Sequence, residues 1–245
     1  MIIKNKLGMI LDSIENWKNG FIAVDHKPMH WKTGRSAESL AWYFISGGGE
    51  KHLREIFDEI FPHASVNFDD AQIEYECPFD NCGKGRMQDL ATWGTVNGSP
   101  FFVGLEAKVD EPFGDVLYAA FSKASHAFID NPKSKAVKRI VDLVNEYGQY
   151  NLNLPYQLLH YLAGSLAEGR RRGAKYVLMP VFVFDTSSID KKMFSDRVAD
   201  ENKDLYIKFL NELKFKKIKK SSNGLYFSKK YGDIEVITIY SKIKR

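Results

Sequence analysis

Residues 87–109, MQDLATWGTVNGSPFFVGLEAKV, decide the fold class of this chain. Two runs rich in apolar and β-favouring residues, 87–96 and 101–109, flank the sequence Asn-Gly-Ser-Pro at 97–100. Asn-Gly between such runs is a strong hairpin signal, because both residues tolerate the positive φ that a tight turn requires. The stretch therefore predicts an antiparallel β-hairpin.

Three charged residues of this hairpin are predicted to meet on one face. Glu106 and Lys108 are two residues apart in one strand, so their side chains leave from the same face. A two-residue turn places Asp89 opposite Glu106, whereas a four-residue loop places it opposite Lys108. In either register the opposed Cβ atoms are roughly 4.5–5.5 Å apart.

This cluster predicts a metal site with catalytic chemistry. Two neighbouring carboxylates repel each other or share a proton unless a cation lies between them. Mg²⁺ or Mn²⁺ accepts oxygen ligands and keeps several waters, and it lowers the pKa of a bound water. Asp89 and Glu106 are the predicted metal ligands. Lys108 would orient that water or stabilise charge in the transition state.

The hairpin lies within an alternating pattern of helices and strands. The order helix, three strands, helix, strand predicts a single α/β domain over 1–245, with N-terminal helices and extra C-terminal strands. Predicted helices cover 2–17, 36–46, 50–60, 116–128, 136–147, 155–172 and 204–213, and predicted strands cover 71–77, 87–96, 101–109, 175–184, 224–228 and 233–240.

The composition of the 245 residues is that of an ordinary globular protein, with 44% hydrophobic and 27% charged residues. No stretch is long and apolar enough for a membrane span, and residues 1–17 lack the pattern of a secretory signal. Two cysteines, Cys77 and Cys82, are too few to staple a chain of this length. We expect a cytoplasmic protein that does not bind membranes.

Positive charge is concentrated at the C-terminal end. Residues 203–245 hold twelve Lys and Arg against four Asp and Glu, a net charge of +8 in a chain of +4 overall. Such an extension suits an anionic polymer, and the alternative is a solvated face. The predicted nucleic-acid contacts in this extension are Lys216, Lys217, Lys219 and Lys220.

The motifs resemble those of a nuclease superfamily. Asp89, the hairpin and Glu106-Ala107-Lys108 resemble the PD-(D/E)XK motif of restriction-endonuclease-like proteins, although Gln88 replaces the Pro that names the motif. The order helix, three strands, helix, strand is the core of that superfamily, and the resemblance implies that this core covers about 31–184. Residues 157–161, QLLHY, are similar to the Q-x-x-x-Y motif of its bacterial recombination-exonuclease branch.

Three further segments resemble an uncharacterised bacterial family that is classed as nuclease-like. They are WKTGRSA at 31–37, EAKVDEPFG at 106–114 and YQLLH at 156–160. The resemblance implies a catalytic Gln157 and a Tyr161 that contacts nucleic acid. It also makes Glu38 a further metal-binding acid, although a surface glutamate in the first turn of a helix is equally compatible with the sequence.

Lys32 and Arg35 lie beside Trp31, just before the helix that carries Glu38. Such a basic and aromatic cluster can stack on a base and neutralise phosphate. The alternative is a buried tryptophan with solvated basic neighbours.

These patterns lead to one main expectation and two alternatives. The main one is a Mg²⁺- or Mn²⁺-dependent nuclease that hydrolyses phosphodiester bonds, with DNA as its substrate. The second is a noncatalytic nucleic-acid-binding module that retains the nuclease fold. The third is an interaction protein that uses the basic C-terminal segment against a protein partner. Metal titration separates the first two, and the salt dependence of DNA binding separates both from the third.

Overall fold

The computed structural model describes residues 1–25, 31–147, 151–189 and 194–245, within which the chain forms eight strands and seven helices. None of these helices is long and apolar enough to span a bilayer. In chain order the elements are β1 (Ile2–Lys4), α1 (Ile14–Asp25), α2 (Ser36–Ile45), α3 (Gly48–Ile60), β2 (Val66–Cys77), β3 (Arg86–Val96), β4 (Ser99–Lys108), α4 (Leu117–Asp130), α5 (Ala136–Tyr147), α6 (Tyr156–Arg171), β5 (Tyr176–Asp185), α7 (Asp196–Glu212), β6 (Lys216–Ser221), β7 (Gly224–Tyr231) and β8 (Ile234–Lys244).

All described strands belong to one mixed sheet with the order β1-β2-β3-β4-β5-β8-β7-β6. Strands β2, β3 and β4 form an antiparallel meander, whereas β4, β5 and β8 run parallel to one another. The last three strands form a second antiparallel meander. The prediction of a mixed α/β fold is confirmed.

The central hairpin turns on two residues. Val96 pairs with Ser99, and both Asn97 (φ 48°) and Gly98 (φ 77°) adopt the left-handed conformation that a tight turn between twisted strands requires. The two-residue register is therefore correct, and the four-residue loop is wrong.

Helices cover both faces of the sheet. Phe101 packs against Phe57 of α3 with 4.5 Å between ring centroids, whereas its neighbour Phe102 faces the guanidinium of Arg172, at the end of α6. Adjacent strand residues point to opposite faces, so α3 and α6 lie on opposite sides of the sheet. Because both faces are covered, the central strand β5 is buried from Val177 to Phe184, as its apolar sequence predicts.

The predicted helix at 2–17 is wrong. Ile3 is instead part of β1 and pairs with Ala71 in the parallel ladder with β2. The Asn5 side chain then accepts hydrogen bonds from two main-chain N–H groups of the following turn. Within the supposed apolar face, Leu7 is 67% exposed. Helix α1 begins only at Ile14, after Ser13 accepts a hydrogen bond from the Asn16 N–H group.

In the second half of the chain, one helix begins earlier than predicted and one strand was not predicted. Helix α7 begins at Asp196, well before residue 204, because the Ser195 hydroxyl accepts a hydrogen bond from the Val198 N–H group and caps the helix. Strand β6 was not predicted, because its residues are almost all exposed and show no alternation.

Candidate functional site

The site lies where the pairing of β3 and β4 stops. The last bridged pair is Leu90 with Leu105, and the register continued by one residue sets Asp89 opposite Glu106. The Asp89 Oδ2 atom accepts a hydrogen bond from the Ala107 N–H group at 2.6 Å. At this point a main-chain N–H group of β4 is therefore paired with a side chain of β3 and not with its backbone.

Side-chain alternation along β3 is interrupted at the same point. Leu90 pairs with Leu105 and shares its face, and regular alternation would put Gln88 on that face too. However, the Gln88 Nε2 atom donates to the Ser165 hydroxyl of α6 at 3.1 Å. A Cβ atom built on Gly104 would lie within 3.0 Å of both side chains. Gln88 therefore points to the α6 face, opposite to Leu90.

The interruption involves both strands of the β2–β3 pair. Glu74 lies opposite Asp89 in this register and has a left-handed backbone, with φ of 47°. As a consequence, Arg86 turns towards α6 as Gln88 does, and its Cβ would meet any side chain at Gly164 of that helix. Sequence reasoning missed Arg86 and Glu74, because nothing in a regular alternation marks the residue at which it is interrupted.

Glu106 is the centre of a buried polar cluster and is only 2% exposed. Its Oε1 atom lies 3.0 Å from the Lys108 ammonium and accepts a hydrogen bond from Gln157 Nε2 at 2.8 Å. Its Oε2 atom forms an ion pair with the Arg86 guanidinium. The structure thus brings together Glu106, Lys108 and Gln157. Within the described residues the Asp89 side chain makes no hydrogen bond or ion pair with these three, and it is held instead by the Ala107 N–H group.

The two acids of the site have opposite electrostatic environments. Burial raises the pKa of Asp89 to about 7, and the nearby Glu106 carboxylate contributes to the shift. Burial alone would also raise the pKa of Glu106, but the cations of Arg86 and Lys108 outweigh it and lower that pKa. Glu106 is therefore ionised at neutral pH, whereas Asp89 releases its proton less readily than an ordinary aspartate.

Asp89 also lines a cavity of about 250 Å³ between the sheet and the first two helices. Glu74 contributes to the same wall, so two carboxyl groups reach this space. The other lining residues are Trp17, Phe21, Ser36, Ala37, Leu40 and Ile73.

The carboxylate oxygens of Asp89 and Glu106 are the type of ligand that a hard divalent cation prefers. Burial is the main cause of the raised pKa of Asp89, and the nearby Glu106 carboxylate adds a repulsion that a cation between the two acids would relieve. Arg86 now holds Glu106 Oε2, so a metal ion bound to that oxygen would replace this ion pair. No group of three or more His, Cys, Asp or Glu suited to a metal occurs in the part of the chain that the structure describes. Water and phosphate oxygens would have to complete the coordination.

Glu38, the further predicted metal ligand, has different partners. Its carboxylate forms an ion pair with Arg245 and accepts a hydrogen bond from the Gly34 N–H group at 3.1 Å. It is therefore engaged by a guanidinium outside the Glu106 cluster.

Tyr161 is 1% exposed and lies in the core under the sheet. Its hydroxyl lies 2.5 Å from the Gly104 carbonyl oxygen and 3.1 Å from that of Pro180. A side chain with this burial cannot reach a nucleic acid, and the predicted contact is corrected to a structural role that anchors α6.

The basic cluster before α2 is partly neutralised. Arg35 Nη1 lies 2.7 Å from Asp110 Oδ1, and Arg35 Nε lies 3.2 Å from Glu111 Oε1, so Arg35 ties this segment to the residues that follow β4. Lys32 is exposed. Of the two predicted contacts, Lys32 is the one whose side chain reaches solvent freely.

The four predicted lysines of the C-terminal extension lie on edge strand β6 and are exposed. Three strands separate β6 from β4, which puts it roughly 19 Å from Glu106 along the sheet. Lys219 lies 3.4 Å from the Glu59 carboxylate and is partly neutralised. At this distance the lysines of β6 do not reach a phosphate that is bound beside Glu106.

Comparison with known proteins gives one match. No curated protein and no solved structure is similar to this chain. A family model described as a domain of unknown function, DUF6946, matches residues 11–244, which is nearly the whole sequence. The chain therefore belongs to the DUF6946 family.

Proposed function

We propose that this chain is a metal-dependent nuclease of the PD-(D/E)XK type that hydrolyses phosphodiester bonds in DNA. The observation that carries the proposal is the cluster of Glu106, Lys108 and Gln157 at the end of the β3–β4 pairing, with the half-buried Asp89 carboxyl bonded to the adjacent Ala107 N–H group. The element order α3, three antiparallel strands, α6 and parallel β5 supports the same assignment, since the resemblance implies this core.

In this proposal the two acids hold Mg²⁺ or Mn²⁺. The cation would activate a water molecule and neutralise charge on the phosphate. Asp89 keeps one carboxylate oxygen on the Ala107 N–H group, which fixes its orientation and leaves the other oxygen for the ion. Glu106 would exchange its bond to Arg86 for the ion.

Lys108 and Gln157 would position the reacting groups. The Lys108 ammonium has three donors and contacts Glu106 and, at 3.5 Å, the Gln157 Oε1 atom. A further donor is available to a phosphate oxygen or to the attacking water. Gln157 holds the Glu106 carboxylate from the first turn of α6 and so keeps the acid and the ammonium in register.

A second candidate function is nucleic-acid binding without catalysis. It is favoured by the ion pairs of Arg86 and Lys108 with Glu106, because these cations already compensate the buried charge without a metal ion. In such a protein the acids would serve folding alone, and a basic surface would bind the polymer.

Metal binding and cleavage separate the two candidates. We would measure Mn²⁺ affinity by calorimetry and single-turnover cleavage of a labelled duplex for the parent chain, Asp89→Asn and Glu106→Gln. The nuclease proposal expects one or more bound ions in the parent, and loss of both binding and cleavage in each variant. A parent chain that binds DNA but neither binds Mn²⁺ nor cleaves would establish the binding module instead.

Two further variants sharpen this experiment. Asp142→Asn removes an exposed carboxylate on α5 whose partner is Lys138, and it should leave both measurements unchanged. Arg86→Met removes the cation that competes for Glu106. The nuclease proposal expects this variant to gain more thermal stability from Mn²⁺ than the parent does, because the ion then fills a charge deficit.

A further inference from the structure

A second cavity, of about 220 Å³, lies between α7, the turn that joins β6 to β7, and the ends of β5 and β8. Its polar lining comes from three separate elements and is dominated by amines and hydroxyls. These residues are Lys203, Lys220, Lys242, Ser221, Ser222 and Asp200.

The charge of this cavity is positive and only partly compensated. Lys242 lies 2.8 Å from the Asp196 carboxylate. Among the residues that the structure describes, Lys203 and Lys220 form no ion pair. Asp200 is the one carboxylate in the lining. The lining thus holds three lysines from three different elements against one carboxylate.

The cavity lies at the same end of the sheet as the candidate active site, which is the end where the parallel strands finish. Lys108 pairs with Val183 of β5, which in turn pairs with Lys242 of β8. Paired residues of neighbouring strands point to the same face, so all three lie on the α6 and α7 side. Two strand spacings put Lys242 roughly 10 Å from Lys108. Both sites lie at the carboxyl ends of parallel strands, where α/β sheets bind ligands.

We infer that this cavity is a phosphate subsite that binds a backbone phosphate of the nucleic-acid strand whose cleavage we propose. Ammonium groups and hydroxyls are the donors that nucleic-acid phosphates meet in proteins. The cavity extends from β8, two strand spacings from β4, to β6, four spacings away, so it lies roughly 10–19 Å from Lys108. At about 3.4 Å per nucleotide, this separation spans about three to six nucleotides of one DNA strand. The inference rests on the proposed function, which identifies the bound molecule as a nucleic-acid strand. The active site and the cavity would then hold this strand at two points and so determine its direction across the protein.

The chain contains a matched control for this subsite. Lys175 directly precedes β5, and Lys230 pairs with Glu235 near the start of β8, so both lie at the end of the parallel strands that is opposite to the cavity. Both are exposed, and neither lines the cavity. The variants Lys203→Gln/Lys220→Gln and Lys175→Gln/Lys230→Gln each remove two positive charges from exposed or half-exposed positions.

We would titrate a fluorescent single-stranded oligonucleotide in EDTA over a series of salt concentrations. Without metal, binding is measured whether or not the protein cleaves, so failure of the nuclease proposal does not affect the readout. The subsite variant should bind about tenfold more weakly at low salt, with a shallower salt slope, and the control variant should lose less than about twofold.

Two results would overturn the inference. Equal losses in both variants would mean that diffuse surface charge binds the strand, and no loss in the subsite variant would mean that the strand does not visit the cavity. Calorimetry with inorganic phosphate identifies the remaining source of this ligand. If the subsite variant loses only phosphate binding and retains oligonucleotide affinity, the cavity holds a free anion and not the nucleic-acid backbone.

Discussion

Asp89 combines a structural contact with a chemical one. Its carboxylate accepts the Ala107 N–H group, so its removal by Ala would leave a main-chain donor without a partner. Asparagine retains an oxygen that can accept this hydrogen bond and removes the charge that a cation needs. The difference between the Asn and Ala variants therefore separates folding from metal binding at a single residue.

At Lys108 we expect a loss of rate without a loss of metal. Methionine keeps most of the apolar stem, which lies over the Phe113 ring, and removes the ammonium. Metal affinity should stay the same or increase, because a neighbouring cation repels the ion. Single-turnover cleavage should slow by roughly a hundredfold or more. A variant that cleaves as fast as the parent, or that loses metal and fold together, would contradict this role.

His160 predicts a pH dependence of stability. Its ring lies between Phe79 and Tyr156, and its Nε2 atom has no hydrogen-bond partner among the described residues. Burial, together with the positive charge of Arg86, lowers the pKa of this histidine to about 3. In the unfolded chain the pKa is about 6.5, so unfolding takes up a proton between these values.

The sign follows from that proton. The stabilisation by neutral His160 is complete above about pH 6.5 and is lost as the pH falls towards 3, by about 2 kcal/mol between pH 7 and pH 5. His160→Phe preserves the aromatic packing and removes the titrating group. Its free energy of unfolding should therefore fall by about 2 kcal/mol less than that of the parent between pH 7 and pH 5. Urea unfolding at the two pH values measures it, and equal losses in both proteins would show that His160 titrates normally.

At the scale of elements, helix α6 connects the core to the site. Tyr161 and Ser165 fix it to the sheet through Gly104 and Gln88, and Gln157 extends from its first turn to Glu106. The position of Gln157 thus depends on how closely α6 approaches β4.

Gly104 controls this approach. An added Cβ would lie 2.9 Å from the Gln88 side chain and 3.0 Å from the Ser165 hydroxyl. Gly104→Ala should reduce the free energy of unfolding by about 1–3 kcal/mol and should also lower metal-dependent cleavage, since α6 must shift. The control is Gly98→Ala in the hairpin turn, where φ is 77° and no atom lies within 4 Å. This variant should lose about 1 kcal/mol with its cleavage rate intact.

The elements that could be predicted are those whose signals are local. Asn97-Gly98 determines the register of β3 and β4, and the register brings Asp89 to Glu106. Strand β1 could not be predicted, because its three residues are fixed by a partner about seventy residues away. The interruption at Asp89 is equally hidden, since it depends on the backbone of Glu74 in a neighbouring strand. Its consequence, the contact of Arg86 with Glu106, was therefore missed.

At the scale of the whole molecule, both polar clusters lie at one end of the sheet, the carboxyl end of its parallel strands. The parallel strands β4, β5 and β8 end together, so the buried acids and the lysine cavity open in the same direction. Because helices cover both faces of the sheet, a long polymer could lie only along this end of the sheet or along the two outer strands.

The outer strand β6 has a further effect on the whole molecule. Its backbone groups on the outer side face no strand in the described chain, and it exposes Ile218, which is 53% accessible, between two lysine pairs. Replacing Lys216, Lys217, Lys219 and Lys220 by Gln should promote self-association, visible as a rise in light scattering at moderate protein concentration. The same four positions changed to Arg should remain monodisperse, and scattering from both variants alike would mean that charge does not protect this edge.

The lysines of β6 should thus also oppose edge-to-edge contact with other copies of the chain. An unpaired strand is a template for sheet extension, and every copy that approached it edge to edge would bring its own four ammonium groups into register with these. The repulsion grows as salt is removed, because charges are screened less at low ionic strength. Low-salt buffers, in which basic proteins bind DNA most tightly, are therefore also those in which association through this edge strand should be weakest.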